Sequence, residues 1–383
     1  MSIPTPGLRV LFPILLALAA RPAAQGSVLV VDDDGGPGVF QSVVKAVNNA
    51  QDGDVVLIKA GTYFPANPGT PNAEHVLIDG KSLTLVAEDG AQVLFEFELE
   101  VRIRNLDPNQ WVAIRGIETR GGRWTLANNQ GAVWIEDVTI RPPSVGAFMS
   151  LNLLSATNCA SVALNRCEIF GEPIVPEFTP FTPLSALGAS VHLYDTNLTT
   201  GASLFGAGAP AAVVNGFFFA SGSTLVGGGG EPALVLMGSG SQVVSLDSTF
   251  QGGVELQGGA LLPPIVEPAR SFRVDATVRE AQVATAEFAG EPGDLVILDF
   301  TLSPTGVFLP ALNGCFQLNH APAANFILGT LGASGTLSVP FVLPFLSPGI
   351  ESVVIFSQAA FVSTGGVPVL SGASMTVLLD DVF

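Results

Sequence analysis

The sequence predicts an all-β protein in two parts, a stack of parallel β-coils followed by a β-sandwich. Three observations lead there. First, 43 Gly and 28 Pro among 383 residues make turns frequent and long helices few. Second, an apolar motif recurs at a coil-sized interval through the middle of the chain. Third, near residue 262 that recurrence stops, and short apolar runs punctuated by Gly, Pro and Ser take over. Apolar residues form 48% of the chain and charged ones 13%, which excludes a disordered chain, because disorder requires few apolar side chains.

In chain order, residues 1–25 read as a secretory signal. Arg9 is the positive start, Val10–Ala20 the apolar run, and Ala-Leu-Ala (17–19) or the later alanines the cleavage region. The run is shorter than the ~20 residues that span a bilayer, so no transmembrane segment is expected in the mature chain. The expected location is secreted, cell-surface or periplasmic. Val28–Val31 then forms a short strand. Phe40, Val43, Val44 and Val47 follow at helical spacing and predict one amphipathic helix of about three turns. Asp-Gly-Asp (52–54) turns the chain into the strand Val55–Ile58.

From there to residue 262 the chain reads as strands and turns. Residues 111–121, 132–141, 161–171 and 190–199 share one template. Its first apolar positions, Val112, Val133, Val162 and Val191, lie 21, 29 and 29 residues apart, with weaker copies near Phe218 and Val243. A repeat of that length is one coil of a solenoid, which buries its apolar face only against neighbouring coils. No leucine-rich signature is present, and the early helix is placed to cover the open first coil.

The segment 31–47, Val-Asp-Asp-Asp-Gly-Gly-Pro-Gly-Val-Phe-Gln-Ser-Val-Val-Lys-Ala-Val, leads into Gly-Asp-Val-Val-Leu-Ile-Lys-Ala-Gly-Thr-Tyr (53–63). This opening resembles the start of pectin-lyase-like right-handed β-helix proteins over roughly residues 27–262. The resemblance implies a fold and leaves activity open, since that family holds lyases, hydrolases, esterases and non-catalytic surface proteins. The polygalacturonase patterns Gly-His-Gly and Asn-Thr-Asp are missing. Arg-Pro-Pro (141–143) matches part of a pectate-lyase segment but lacks its second arginine. The expected architecture is therefore a signal over 1–25, a right-handed parallel β-helix with an N-terminal capping helix over 26–262, a linker over 263–269 and a C-terminal β-sandwich over 270–383. The last part resembles C-terminal modules of exported bacterial proteins.

Charge narrows the partners. Fifteen Lys and Arg against 33 Asp and Glu give −18, so no cationic footprint for nucleic acid exists. No Lys or Arg lies between Arg166 and Arg270. Three cysteines, Cys159, Cys167 and Cys315, are expected as buried free thiols, because the strand between the first two holds them apart.

Two regions carry chemistry in this reading. Glu96, Glu98, Glu100, Arg102 and Arg104 alternate with apolar residues, and one strand would set all five on one face about 6.5 Å apart, a carboxylate separation suited to glycoside hydrolysis. A solvated edge strand gives the same pattern. Aligning the repeats stacks Ala113, Trp134, Ala163 and His192 in one outward column, with Arg115, Glu136, Asn165 and Tyr194 in the next. An open face bearing Trp134, Glu136, Arg115, His192 and Tyr194 would suit a sugar or another surface partner, with Glu136 and Arg115 as candidate catalytic groups. Arg120 and Arg141 also stack, and would meet an anionic ligand or only Glu118 nearby. The column Gly116, Asp137, Arg166 and Asp195 falls at the bend and reads as structural. Asp32, Asp33 and Asp34 are a weak calcium candidate, equally explained as negative charge before a helix N-terminus; no other cofactor is expected. The leading expectation is an exported, non-catalytic β-helix protein that binds carbohydrate or a cell-surface component. The alternatives are a polysaccharide lyase or glycoside hydrolase, and a structural envelope component.

Overall fold

The computed structural model describes residues 26–66, 74–96, 99–142, 152–171, 180–202, 208–319 and 324–383. The signal expectation over 1–25 and the candidate Glu98 lie outside these residues. The chain is nearly all β, and its first part is a parallel β-solenoid.

Each coil runs through three short strands. One coil comprises Trp124–Ala127, Ala132–Glu136 and Thr139–Arg141. Every strand pairs in parallel with its counterparts on neighbouring coils, so three walls build up. The first wall holds Asp54–Ile58, Leu83–Ala87, Trp111–Arg115, Ala132–Glu136 and Ser161–Asn165 in that order. The second is an 8-stranded sheet from Gly61–Tyr63 to Thr249–Gln251, and the third runs from Val76–Asp79 to Val254–Gln257. Two long strands, Thr182–Tyr194 and Ala212–Ser221, pass round a corner unbroken and join the first and third walls. The column read from the repeats holds residue for residue: Val112, Val133, Val162, Val191, Phe218 and Val243 are successive Cα partners.

The corners follow from single backbone conformations. Between the first and second walls, Gly116, Asp137, Arg166, Asp195, Gly222 and Asp247 each take a positive φ, from 46° to 78°. Asn105, Asn128 and Asn158 do the same at the corner between the third and first walls. One left-handed residue turns the chain sharply, and Gly, Asn and Asp enter that region at the least cost. The amide ladder continues through the bend, with Asp137 N–H donating to the Asn165 carbonyl at 3.0 Å and Arg166 N–H to that of Tyr194 at 2.8 Å. The bend column is thus structural, as its composition implied.

The helix is shorter than the sequence spacing predicts. It spans Val43–Asn49, because Ser42 is extended (φ −134°) and caps it, its hydroxyl accepting from Lys45 N–H at 3.4 Å. Phe40 instead bridges to Val31. Val43, Val44, Ala46 and Val47 are buried over the first coil's interior, and Lys81 Nζ donates to the Val47 and Ala50 carbonyls at 2.7 and 2.6 Å, closing the helix end.

From Ser271 onward the sheets are largely antiparallel. A 3-stranded sheet (Ser271–Val274, Val283–Ala289, Thr336–Val342) faces a 6-stranded one containing Leu295–Thr301, Ser352–Val362 and Ser374–Leu379. Phe272, Phe288, Val296, Leu298 and Phe361 fill the space between them, a sandwich core. The larger sheet's other face lies on the first wall of the solenoid: Val354, Phe356, Met375 and Val377 pack against Leu57, Trp111, Ala113, Trp134 and Ala163. Covered on both faces, Ser352–Val362 is mostly apolar, with Ser357 and Gln358 as its buried interior polar residues.

Candidate functional site

The first-wall columns form with the predicted register. Trp134 pairs with Ala113 and Ala163, and Glu136 with Arg115 and Asn165; His192 and Tyr194 follow on the next coil. The expectation that this face is open to solvent is corrected: Trp134, Glu136, Arg115, His192 and Tyr194 are all buried, because the sandwich sits on them. Trp134 meets the ring of Phe356 edge-on at 5.3 Å.

Glu136 is surrounded by donors. Its carboxylate accepts from Trp134 Nε1 at 2.9 Å, Met375 N–H at 2.9 Å, Ser374 Oγ at 2.6 Å, and from Arg166 Nη2. Arg115 Nε stands 3.2 Å away and also binds Asp137 Oδ2 at 2.9 Å. The guanidinium of Arg115 reaches the Met375 and Val274 carbonyls, and that of Arg166 the Phe272 carbonyl at 2.9 Å. Two cations and two carboxylates balance to zero. Asp137 is held below the usual carboxylate range: burial opposes its charge, but Arg166 and Arg115 outweigh that. A general acid or base must reach a substrate proton. Every polar atom of Glu136 is instead turned to protein, and the cluster ties solenoid to sandwich.

His192 and Tyr194 serve the same contact. The Tyr194 hydroxyl accepts from Cys315 N–H at 2.8 Å and donates to the Cys315 carbonyl at 3.1 Å. His192 Nε2 pairs with Ser190 Oγ at 3.0 Å, while Nδ1 finds no partner. Burial lowers the His192 pKa to about 4, so the ring is neutral near pH 7. Gly306 of the sandwich lies directly over it, where a Cβ would stand 2.4 Å from Cε1. Cys159, Cys167 and Cys315 are buried and free, as expected.

Arg120 and Arg141 stack on the second wall, which stays open. They are adjacent partners in the ladder, with side chains 45% and 43% exposed. Glu118 Oε1 accepts from Arg120 Nε at 2.9 Å and stands 3.4 Å from Arg141 Nε, and Glu96 is 3.5 Å from Arg120. Arg141 Cζ lies 4.2 Å above the ring of Phe170. Phe170 was missed in the sequence, although it occupies the template position of Arg120 and Arg141 one coil on.

The strip from Glu96 to Arg104 does not form one strand. Val93–Phe95 belongs to the second wall and Val101–Arg104 to the third, and Leu99 between them is buried. Glu100 is nearly buried there and takes Arg102 and Arg123 at 2.5 Å each, with His75 Nδ1 at 3.6 Å. Burial alone would raise the Glu100 pKa, but the bonds from Arg123 and Arg102 hold it low. Arg104 pairs with Asp79 at 2.8 Å. The carboxylates of Asp32, Asp33 and Asp34 gather within 4.8 Å, with Asp33 accepting from Thr62 N–H at 2.9 Å and Asp32 standing 3.6 Å from Lys59 Nζ. Among the described residues no helix is long and apolar enough to cross a membrane.

Neither protein-family models nor curated proteins yield a match to this chain.

Proposed function

We propose that this is an exported, non-catalytic β-helix protein of the pectin-lyase-like kind, which binds a carbohydrate or cell-surface partner on the second wall of its solenoid. The observation that carries the reading is the open pair Arg120 and Arg141, joined through Glu118 and backed by Phe170. Their guanidinium donors are fixed in direction by the acceptors beneath, and they stand in a row along the coil axis, the arrangement a repeating polar ligand requires. The binding reading is favoured over the polysaccharide lyase or hydrolase because Glu136 and Arg115 are consumed by the contact with the sandwich.

The test is a panel of neutral and uronate polysaccharides, offered to the intact protein with and without calcium. Binding is followed by affinity electrophoresis, and turnover by reducing ends and the absorbance of unsaturated uronates. Binding without turnover is expected. Arg120→Ala and Arg141→Ala should each weaken it roughly tenfold or more, the worth of a hydrogen bond to a charged group. Turnover, or binding indifferent to both substitutions, overturns the reading.

A further inference from the structure

The two ends of the solenoid are finished differently. At the first coil the helix Val43–Asn49 covers the interior. At the last coil, Thr249–Gln251 and Val254–Gln257 pair only inward, with Thr224–Val226 and Leu234–Met237, and no element lies beyond them among the described residues. Their outer N–H and C=O groups form open edges on two walls, the feature that stable monomers ordinarily cover or charge. This end is also apolar: Leu256 is 48% and Leu261 49% exposed. Across residues 248–266 the one charged side chain is Glu255, in a chain carrying −18 overall.

We propose that the last coil is a self-association surface, which pairs tail to tail with the last coil of a second copy of this chain. Charge selects the occupant. Two copies of an acidic protein repel over most of their surfaces, and this coil is where they approach with least repulsion. Pairing adds a complementary contact. Glu255 and Gln257 already bond within one copy, Gln257 Nε2 donating to Glu255 Oε1 at 2.8 Å. Lying either side of Leu256, they fall opposite one another when two such strands run antiparallel about a two-fold axis. The helix over the first coil blocks head-to-tail stacking, so the assembly closes at two copies rather than growing into a fibre.

The experiment uses the whole protein. Sedimentation equilibrium from 1 to 100 µM should give twice the chain mass for the wild type and the single-chain mass for Leu256→Arg/Leu261→Arg, with circular dichroism unchanged. A second measurement does not depend on that variant. The native cysteines are buried, so Leu256→Cys and, on the capping helix, Lys45→Cys each offer one accessible thiol. A short bismaleimide should link Leu256→Cys into dimers and leave Lys45→Cys monomeric. A single-chain mass across the whole range, a dimer that survives the double substitution, or linkage through Lys45→Cys overturns the proposal.

Discussion

At Glu136 the surroundings leave one role open. Five groups point donors at one buried carboxylate, and the two arginines among them also pair with Asp137. Glu136→Ala should therefore destabilise by about 3–5 kcal/mol, the cost of stranding a buried charge, read as a lowered urea midpoint. A change below about 1 kcal/mol would mean the cluster is not buried as described. His192 gives a pH dependence. The folded pKa is about 4 against 6.5 for a free ring, so on acidification the unfolded chain binds the proton first. The stability from a neutral buried ring is complete above pH 6.5, falls through the window to pH 4, and about 3 kcal/mol is gone below it. Asp299, raised to about 6 by burial, works in the opposite sense, its contribution growing as pH falls. The comparison is therefore with His192→Asn, whose stability should decline less steeply between pH 6.5 and 4; equal slopes would contradict the assignment. The columns holding these residues were legible in the sequence. Their burial was not, because alternation along a strand tells which side chains leave one face, and not what lies beyond it.

Among the elements, the corners are the most sequence-determined. A left-handed residue ends a strand of each coil, and Asn128, with φ 56°, is one of them. Asn128→Gly should leave stability within a few tenths of a kcal/mol, whereas Asn128→Val should cost about 1–2 kcal/mol, since a β-branched side chain crowds the following carbonyl. Equal urea midpoints for the two variants would exclude the left-handed assignment. A corner without such a residue leaves no mark in the sequence. The run Glu96–Arg104 alternates like one strand, yet the chain passes from the second wall to the third between Phe95 and Val101, and no Gly, Asn or Asp marks that change in the sequence. The helix is shorter than its apolar spacing because Phe40 keeps the period, while Ser42 supplies the cap that starts the helix after it.

On the scale of the whole molecule, solenoid and sandwich share a core-like contact. Trp111 and Trp134 each meet Phe356 edge-on, at 5.1 and 5.3 Å. Calorimetry should show one cooperative transition for the wild type. Phe356→Ala should cost about 3–5 kcal/mol, red-shift the tryptophan emission and split the transition in two. Two transitions in the wild type would mean the parts are only loosely joined. A clue to the contact was present: two outward columns, Trp111, Ala132 and Ser161 and then Ala113, Trp134 and Ala163, are small or aromatic, unlike the Glu, Thr and Arg of the open second wall. The sandwich also reaches back to the first coil, where Glu351 accepts from Val28 N–H at 2.7 Å across 323 positions of sequence. Contacts this remote close late. A nascent chain must therefore carry its tryptophan-lined flank uncovered until nearly the last residues emerge, and refolding should be slow and prone to clumping when many copies mature at once.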